Sequence, residues 1–212
     1  MRRNAGPPDG TAAELRTAWR RLPVLPVLRV DRARTAIEQA ARLAGLGVAT
    51  VELTTTTPDW PAALTALRRE HPDLLIGLGT VRDTDTAAQA RDAGVDFLVT
   101  PYAVPGVREA ADRVPVIEGG WTPGEVAAAA EHGVAKLFPA QVGGPAHLRG
   151  LLAVMPEVEI VPTGGIALEE TQAWLDAGAL AVGLGSDLTR RLADDPAAVA
   201  DWVAGLTKQE AG

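Results

Sequence analysis

The sequence predicts an α/β fold, a (β/α)8 TIM barrel with an extra N-terminal helix. Three observations predict it. Eight short apolar runs alternate with longer alanine-rich amphipathic stretches along 212 residues, the pattern of a parallel sheet with crossover helices. Eight such units suit a closed barrel at the small end of its size range. Glycine also recurs at one structural point. Gly47-Val48, Gly94-Val95, Gly133-Val134 and Gly178-Ala179 each stand where a helix ends and a strand begins, as left-handed helix C-caps favour. An ordinary open α/β sheet is the other arrangement this pattern permits.

In chain order, a helix over residues 11–20 precedes the first strand. Strands are expected at 24–29, 50–54, 75–79, 97–100, 114–117, 136–138, 159–162 and 181–184, each a short apolar run of strand-forming residues. Helices are expected at 32–46, 61–70, 84–93, 105–111, 123–132, 146–155 and 168–177, where alanine and arginine dominate and apolar positions recur every three or four residues. A short helical stretch follows the eighth strand, and 196–206 closes the chain. The first ten residues, which include Gly6, Pro7, Pro8, Asp9 and Gly10, are expected to be disordered. No internal linker breaks the remainder, so 11–212 reads as a single barrel domain.

Composition removes several function classes. Apolar residues make up 47% and charged residues 22%, as in soluble globular proteins. A net charge of −7 argues against nucleic-acid binding. Cysteine is absent, which excludes a disulfide framework, a thiol nucleophile and a cysteine metal site. Two arginines near the start have no apolar stretch behind them, so no secretory signal is read there. No apolar run is long enough to cross a membrane. A cytoplasmic location is therefore expected. His71, His132 and His147 fall at helix ends or loops, show no metal-ligand spacing, and are expected on the surface.

One residue points to chemistry. The chain has 18 arginines and two lysines, Lys136 and Lys208. Lys136 lies in a run that reads as a buried strand. A surface cation could be arginine, but a primary amine that sheds its proton can attack a carbonyl. An isolated lysine titrates near ~10.4, whereas nucleophilic work at neutral pH needs a value nearer ~7–8. The difference is about 4 kcal/mol, which desolvation in a barrel interior can supply.

Barrel chemistry sits at the C-terminal ends of strands. The polar residues expected there are Arg29, Glu52, Thr80, Thr100, Glu118, Thr163 and Ser186. Strand alternation puts Lys136 with Phe138 on one face, and Glu52 with Thr54 and Thr56 on another. If both faces turn inward, a lysine and a glutamate share one core. Imine formation moves a proton at every step, and Glu52 is the candidate carrier. The structural alternative is an unreactive buried Lys136–Glu52 ion pair, although buried pairs are weak stabilisers.

Two glycine turns suggest anion binding. Pro162-Thr163-Gly164-Gly165-Ile166 follows the seventh strand, and Gly183-Leu184-Gly185-Ser186 follows the eighth. Such turns let backbone N–H groups approach a phosphate, often between strands 7 and 8 of a barrel. Tight-loop geometry is the plain alternative. Asp187 then either caps the following helix or brings a carboxylate near the anion.

Together these segments resemble the 2-keto-3-deoxy-6-phosphogluconate (KDPG) aldolase family, also described as 4-hydroxy-2-oxoglutarate aldolase. The motifs are PVLR (26–29), VELT (51–54), GLGT (77–80), VTP (99–101), KLFPA (136–140), PTGGI (162–166) and GLGS (183–186), spread over nearly the whole chain. The resemblance implies a class I aldolase on a (β/α)8 barrel that needs no metal or cofactor and forms homotrimers. Lys136 would be the Schiff-base lysine, and Glu52 the acid/base residue working with a water. Thr80 would face the pyruvoyl group, with Pro101 and Phe138 as pocket wall. Thr163, Gly164 and Gly165 would contact the substrate, while Gly185 and Ser186 would hold a distal phosphate. Some members carry a carboxylate-binding arginine where Thr56 stands here, and others carry it at the end of strand 1. The resemblance therefore gives that role to Arg29.

The departures from the pattern all bear on the distal half of the substrate. Glu118 replaces a proline and is expected to add negative charge at the rim. Tyr102 stands where smaller or imidazole-bearing residues are common, and Asp187 follows Ser186. The expected reaction is cleavage of a 2-keto-3-deoxy sugar acid phosphate to pyruvate and an aldehyde, with glyceraldehyde 3-phosphate favoured. An aldolase for an unphosphorylated keto acid, a phosphate-binding isomerase or epimerase barrel, and an idle barrel with an assembly role are the other readings.

Overall fold

The computed structural model describes residues 10–209. Of the segment expected to be disordered, residues 1–9 lie outside the described residues. Gly10 opens the first helix. The elements run α1 (Gly10–Arg21), β1 (Val24–Leu28), α2 (Ala33–Gly45), β2 (Thr50–Thr54), α3 (Trp60–Glu70), β3 (Leu75–Gly79), α4 (Thr84–Ala93), β4 (Phe97–Val99) and α5 (Val107–Ala111). They continue through β5 (Val116–Gly120), α6 (Pro123–Ala130), β6 (Ala135–Leu137), α7 (Gly144–Val154), β7 (Ile160–Pro162), α8 (Thr171–Leu175), β8 (Val182–Leu184), α9 (Ser186–Asp194) and α10 (Pro196–Gln209). Two 3₁₀ turns, Ala140–Val142 and Leu168–Glu170, follow β6 and β7.

All paired strands are parallel, in the order β7-β6-β5-β4-β3-β2-β1-β8. A parallel bridge between Thr163 and Gly183 joins the two ends. The order never reverses and the ends meet, so the sheet is a (β/α)8 barrel and not an open sheet. The four glycines expected at helix ends, Gly47, Gly94, Gly133 and Gly178, all have positive φ.

Apolar residues form two shells. The larger lies between sheet and helices and includes Leu28, Leu53, Leu78, Leu98, Leu137 and Leu184. The smaller fills the barrel itself with Leu25, Leu75, Phe97, Val99, Ile117, Val161 and Ala181. These alternate along the strands with outer-shell residues, as the pleat requires. Leu15 and Trp19 of α1 belong to the inner cluster, so the extra helix closes the N-terminal end. The Trp19 ring meets Phe97 edge-on with centroids 6.5 Å apart, and its indole N–H donates to Thr50 Oγ1 (3.0 Å).

The fifth strand corrects the sequence reading. The expected strand, 114–117, starts and ends too early. Pro115 cannot donate to a ladder, and pairing begins at Val116. The Gly119-Gly120 pair reads as a turn but lies inside the strand. A Cβ on Gly119 would stand 2.3 Å from the Pro101 carbonyl oxygen, so only glycine lets β5 come this close to the segment that follows β4. The shift puts Ile117 and Gly119 inward and turns Glu118 outward. The expected helix at 168–177 is likewise split into a 3₁₀ turn and the short α8.

Candidate active site

Glu52 sits in the middle of β2 and Lys136 in the middle of β6, both facing into the barrel. Their side chains are 1% and 7% exposed, and Lys136 Nζ lies 3.9 Å from Glu52 Oε1. Glu52 fits because β3 offers glycine opposite. A Cβ at Gly79 would stand 1.7 Å from Glu52 Oε1. The other oxygen, Oε2, is buried with no hydrogen-bond partner among the described residues. The Phe138 ring lies against the amine, its centroid 5.2 Å from Nζ.

Burial pushes the Lys136 amine below the ordinary lysine range. Glu52 opposes that shift and the Arg29 charge adds to it. Burial pushes the Glu52 carboxyl up, against the pull of Lys136 and Arg29. Both shifts favour a neutral amine beside a carboxylic acid. That pair has the same net charge as the ion pair and differs only in where one proton sits. Such an arrangement can add nitrogen to a carbonyl while an acid stands ready to protonate the departing oxygen.

Arg29 lies exposed at the C-terminal mouth just past β1. Its Nη1 donates to Thr56 Oγ1 (3.0 Å) and its Nη2 to Thr80 Oγ1 (2.9 Å). Thr80 has φ 62°, a conformation that costs a β-branched residue roughly 1–3 kcal/mol. The surroundings hold it there. The Thr55 hydroxyl donates to Thr80 O (3.0 Å) and Val81 N–H to Val99 O (3.2 Å).

Pro101 and Phe138 line a cleft of about 410 Å³ that also includes Tyr102 and Trp121. On the far side, Thr163 packs where Gly183 leaves room; a Cβ there would sit 2.1 Å from Thr163 Oγ1. Gly164 and Gly165 both have positive φ. The Gln141 side chain covers Gly165, and Gln141 N–H donates to Gly164 O (3.1 Å). Gly185 lies beside the Val27 carbonyl with open space around it. Ser186 is exposed on the first turn of α9.

Four departures from the sequence reading stand out. Glu118 is not at the rim: it faces the helices and pairs with Arg108 at 3.2 Å, so the expected negative charge is absent from the mouth. Asp187 does not cap its own helix. Its Oδ2 accepts from Leu168 N–H (3.0 Å), and Arg190 and Arg191 pair with the carboxylate. Burial pushes its carboxyl up, but the Leu168 amide and the two arginines hold it below the usual range. His147 is half-buried, stacked on Trp121 at 4.6 Å, and donates from Nε2 to Trp121 O (2.9 Å). Thr100 is fully buried and falls on the outer face by alternation with Val99.

Sequence reasoning also missed the linked hydroxyls of Thr54, Thr56 and Thr57 beside Arg29, and the Thr55 hydroxyl on the Thr80 carbonyl. The signal was four consecutive threonines at a strand's C-terminal end. Among the described residues no group of three His, Asp or Glu side chains could hold a metal ion. No described helix is long and apolar enough to cross a membrane.

Comparison with known proteins shows the family. The family described as "Aldolase: KDPG and KHG aldolase" matches residues 15–200. The 2-dehydro-3-deoxy-phosphogluconate aldolase of Pseudomonas aeruginosa is 38% identical over 168 residues, covering 77% of this chain and 76% of that protein. The KDPG aldolase of Legionella pneumophila, solved with pyruvate captured as a covalent carbinolamine intermediate, superimposes with a TM-score of 0.76. It is 27% identical and covers 91% of this chain and 95% of its own. The 2-keto-3-deoxy-6-phosphogluconate aldolase of Zymomonas mobilis, solved with 3-phosphoglycerate, has a TM-score of 0.76 at 25% identity, over 92% and 97% of the two chains. Motifs, barrel and buried amine–carboxyl pair thus converge: the chain belongs to the KDPG and KHG aldolase family and is a class I aldolase, a carbon–carbon lyase.

Proposed function

We propose that the protein reversibly cleaves a 2-keto-3-deoxy sugar acid phosphate to pyruvate and an aldehyde, with glyceraldehyde 3-phosphate favoured. The observation that carries this reading is the Lys136 amine, sealed in the barrel 3.9 Å from Glu52. Lys136 Nζ attacks the C2 ketone to give a carbinolamine, which loses water to an iminium. Glu52, directly or through one water, accepts the C4 hydroxyl proton. The C3–C4 bond then breaks, the aldehyde departs, and its electron pair moves into an enamine. The same carboxyl returns the proton to C3, and hydrolysis of the resulting iminium releases pyruvate and the amine.

Arg29 takes the C1 carboxylate with its guanidinium fork, and Thr80 faces the pyruvoyl group beside it. Pro101 and Phe138 form the wall. Thr163, Gly164 and Gly165 follow the chain outward, and Gly185 with Ser186, at the N-terminus of α9, receives the phosphate. Two observations support a phosphate there. Glu118 is paired away from the mouth, and Asp187 is neutralised by two arginines. The family resemblance further supports a homotrimer working in the cytoplasm.

Borohydride treatment in the presence of pyruvate tests the chemistry. A reduced pyruvyl adduct on Lys136 is expected, absent in Lys136→Met. An unchanged mass at saturating pyruvate overturns the proposal. An unphosphorylated substrate such as 4-hydroxy-2-oxoglutarate is the second reading. It is favoured by the 3₁₀ turn after β7, whose Ala167 and Leu168 amides already bind Glu170 (2.8 Å) and Asp187 (3.0 Å). A preference for the phosphorylated substrate below about tenfold in kcat/KM, or ~1.4 kcal/mol, favours that second reading.

A further inference from the structure

Four consecutive threonines leave β2 beside Arg29 at the end of β1, and the direction of their hydrogen bonds can be worked out by counting protons. A guanidinium only donates, so Arg29 Nη1 gives its proton to Thr56 Oγ1 (3.0 Å). At the other end, the Thr57 hydroxyl donates to Leu28 O (3.2 Å) while accepting Val30 N–H (3.3 Å). Thr57 has thereby spent its one proton. In the Thr54–Thr57 contact (3.3 Å), Thr54 must donate. Thr54 has then spent its own, so in the Thr54–Thr56 contact (2.9 Å) Thr56 donates. The chain runs one way, from Arg29 through Thr56, Thr54 and Thr57 to the carbonyl of Leu28, the residue before Arg29. It closes on its own starting point, and bonds polarised in one direction strengthen one another.

Thr55 completes the arrangement from the other side. Its backbone N–H donates to Gly79 O (3.0 Å) and its hydroxyl to Thr80 O (3.0 Å). These bonds hold Thr80 in its left-handed conformation, with Oγ1 accepting from Arg29 Nη2 (2.9 Å). Having accepted from Arg29, the Thr80 hydroxyl still has its own proton to give.

We infer that Thr54, Thr55, Thr56 and Thr57 are positioning residues that lock Arg29 and Thr80 into one preformed carboxylate receptor. The inference rests on the proposed aldolase reading, in which Arg29 takes the C1 carboxylate. The substrate carboxylate meets the guanidinium N–H groups that the threonines leave free, together with the Thr80 hydroxyl proton. A long exposed arginine pays no ordering cost on binding if it is already ordered.

Thr56 is the place to test this, because it is exposed and its replacement leaves the barrel core untouched. Thr56→Val should raise KM for the keto acid by about tenfold, in line with loss of a hydrogen bond to a charged group. Its kcat should change by less than about twofold, and Lys136 should still be trapped by borohydride at saturating pyruvate. Thr56→Ser keeps the hydroxyl and should restore KM. A KM for Thr56→Val within about twofold of the parent, or failure of serine to rescue it, overturns the relay. Arg29→Ala separates the two levels. If it raises KM while Thr56→Val does not, the relay falls and the carboxylate reading stands. If it leaves KM unchanged, the carboxylate reading falls and takes the relay with it.

Discussion

The two ends of the barrel interior are built from the same eight strands and differ in what those strands turn inward. Toward the N-terminal end the inward positions carry bulk: Leu25, Leu75, Phe97, Ile117, and Trp19 from α1. Toward the C-terminal end the same strands turn small or polar. β3 runs Leu75, Gly77, Gly79; β5 runs Ile117, Gly119; the eighth runs Ala181, Gly183, Gly185. The space released by these glycines is filled by the Phe97 ring at Gly77, Glu52 at Gly79 and Thr163 at Gly183. One end therefore contributes burial, and the other gives up packing so that an amine and a carboxyl can enter a water-poor interior. The Trp19–Thr50 bond marks the boundary, since Thr50 lies two residues below Glu52 on the same face of β2.

The largest effect should come from the polar end. Lys136→Met should lower kcat by at least ~10⁴-fold, about 5.5 kcal/mol in the barrier, with the thermal midpoint nearly unchanged. The parent enzyme should show the sign of the buried amine. Activity rises as the ammonium loses its proton, and burial places that rise below the ordinary lysine range. An acid limb at ~10.4 would mean a hydrated amine and erase the contrast between the two ends.

Next comes the apolar end. Trp19→Ala should cost about 3–5 kcal/mol of unfolding free energy, measured by denaturant titration. Turnover per folded molecule should stay within about twofold of the parent. A collapse of turnover in the folded variant would show that the plug also shapes the site.

Gly79→Ala crosses the boundary and should have a smaller effect. Its Cβ must displace the Glu52 carboxyl, and kcat/KM should fall about ten- to a hundredfold, ~1.4–2.7 kcal/mol. The smallest effect should be at the mouth. Asp187→Asn weakens the tie between α9 and the turn after β7, costing about 1 kcal/mol. Because the Asp187 carboxyl is held below its ordinary value, its contribution is present above ~pH 4 and is lost as pH falls through the folded-state value. The gap between parent and variant should close in acid. A gap that persists there would place the effect in packing and not in charge.

Much of this was legible along the chain, because burial imposes a period. The eight strands could be counted from apolar runs, and Lys136 and Glu52 stood out as charged residues inside two of them. β5 was misplaced because Gly119 and Gly120 look like a turn unless the neighbouring strand is known. The Pro101 backbone, remote in sequence, is what makes glycine necessary there. Glu118 moved from the rim to the outer face for the same reason, since a shifted strand end changes which residues reach the mouth. The roles of Asp187 and His147 were illegible because their partners, Leu168 and Trp121, come from other loops.

The sequence by itself determined the strand count, the parallel arrangement and the two ionisable residues in apolar surroundings, since these follow from local periodicity and from the cost of burying charge. Only the tertiary structure decided that the amine and the carboxyl meet at 3.9 Å. It alone also decided that the hydroxyls of Thr56 and Thr80, which follow two different strands, meet one arginine. The distance between β2 and β6 across a barrel is set by closure of all eight strands, and no stretch of the chain encodes it alone.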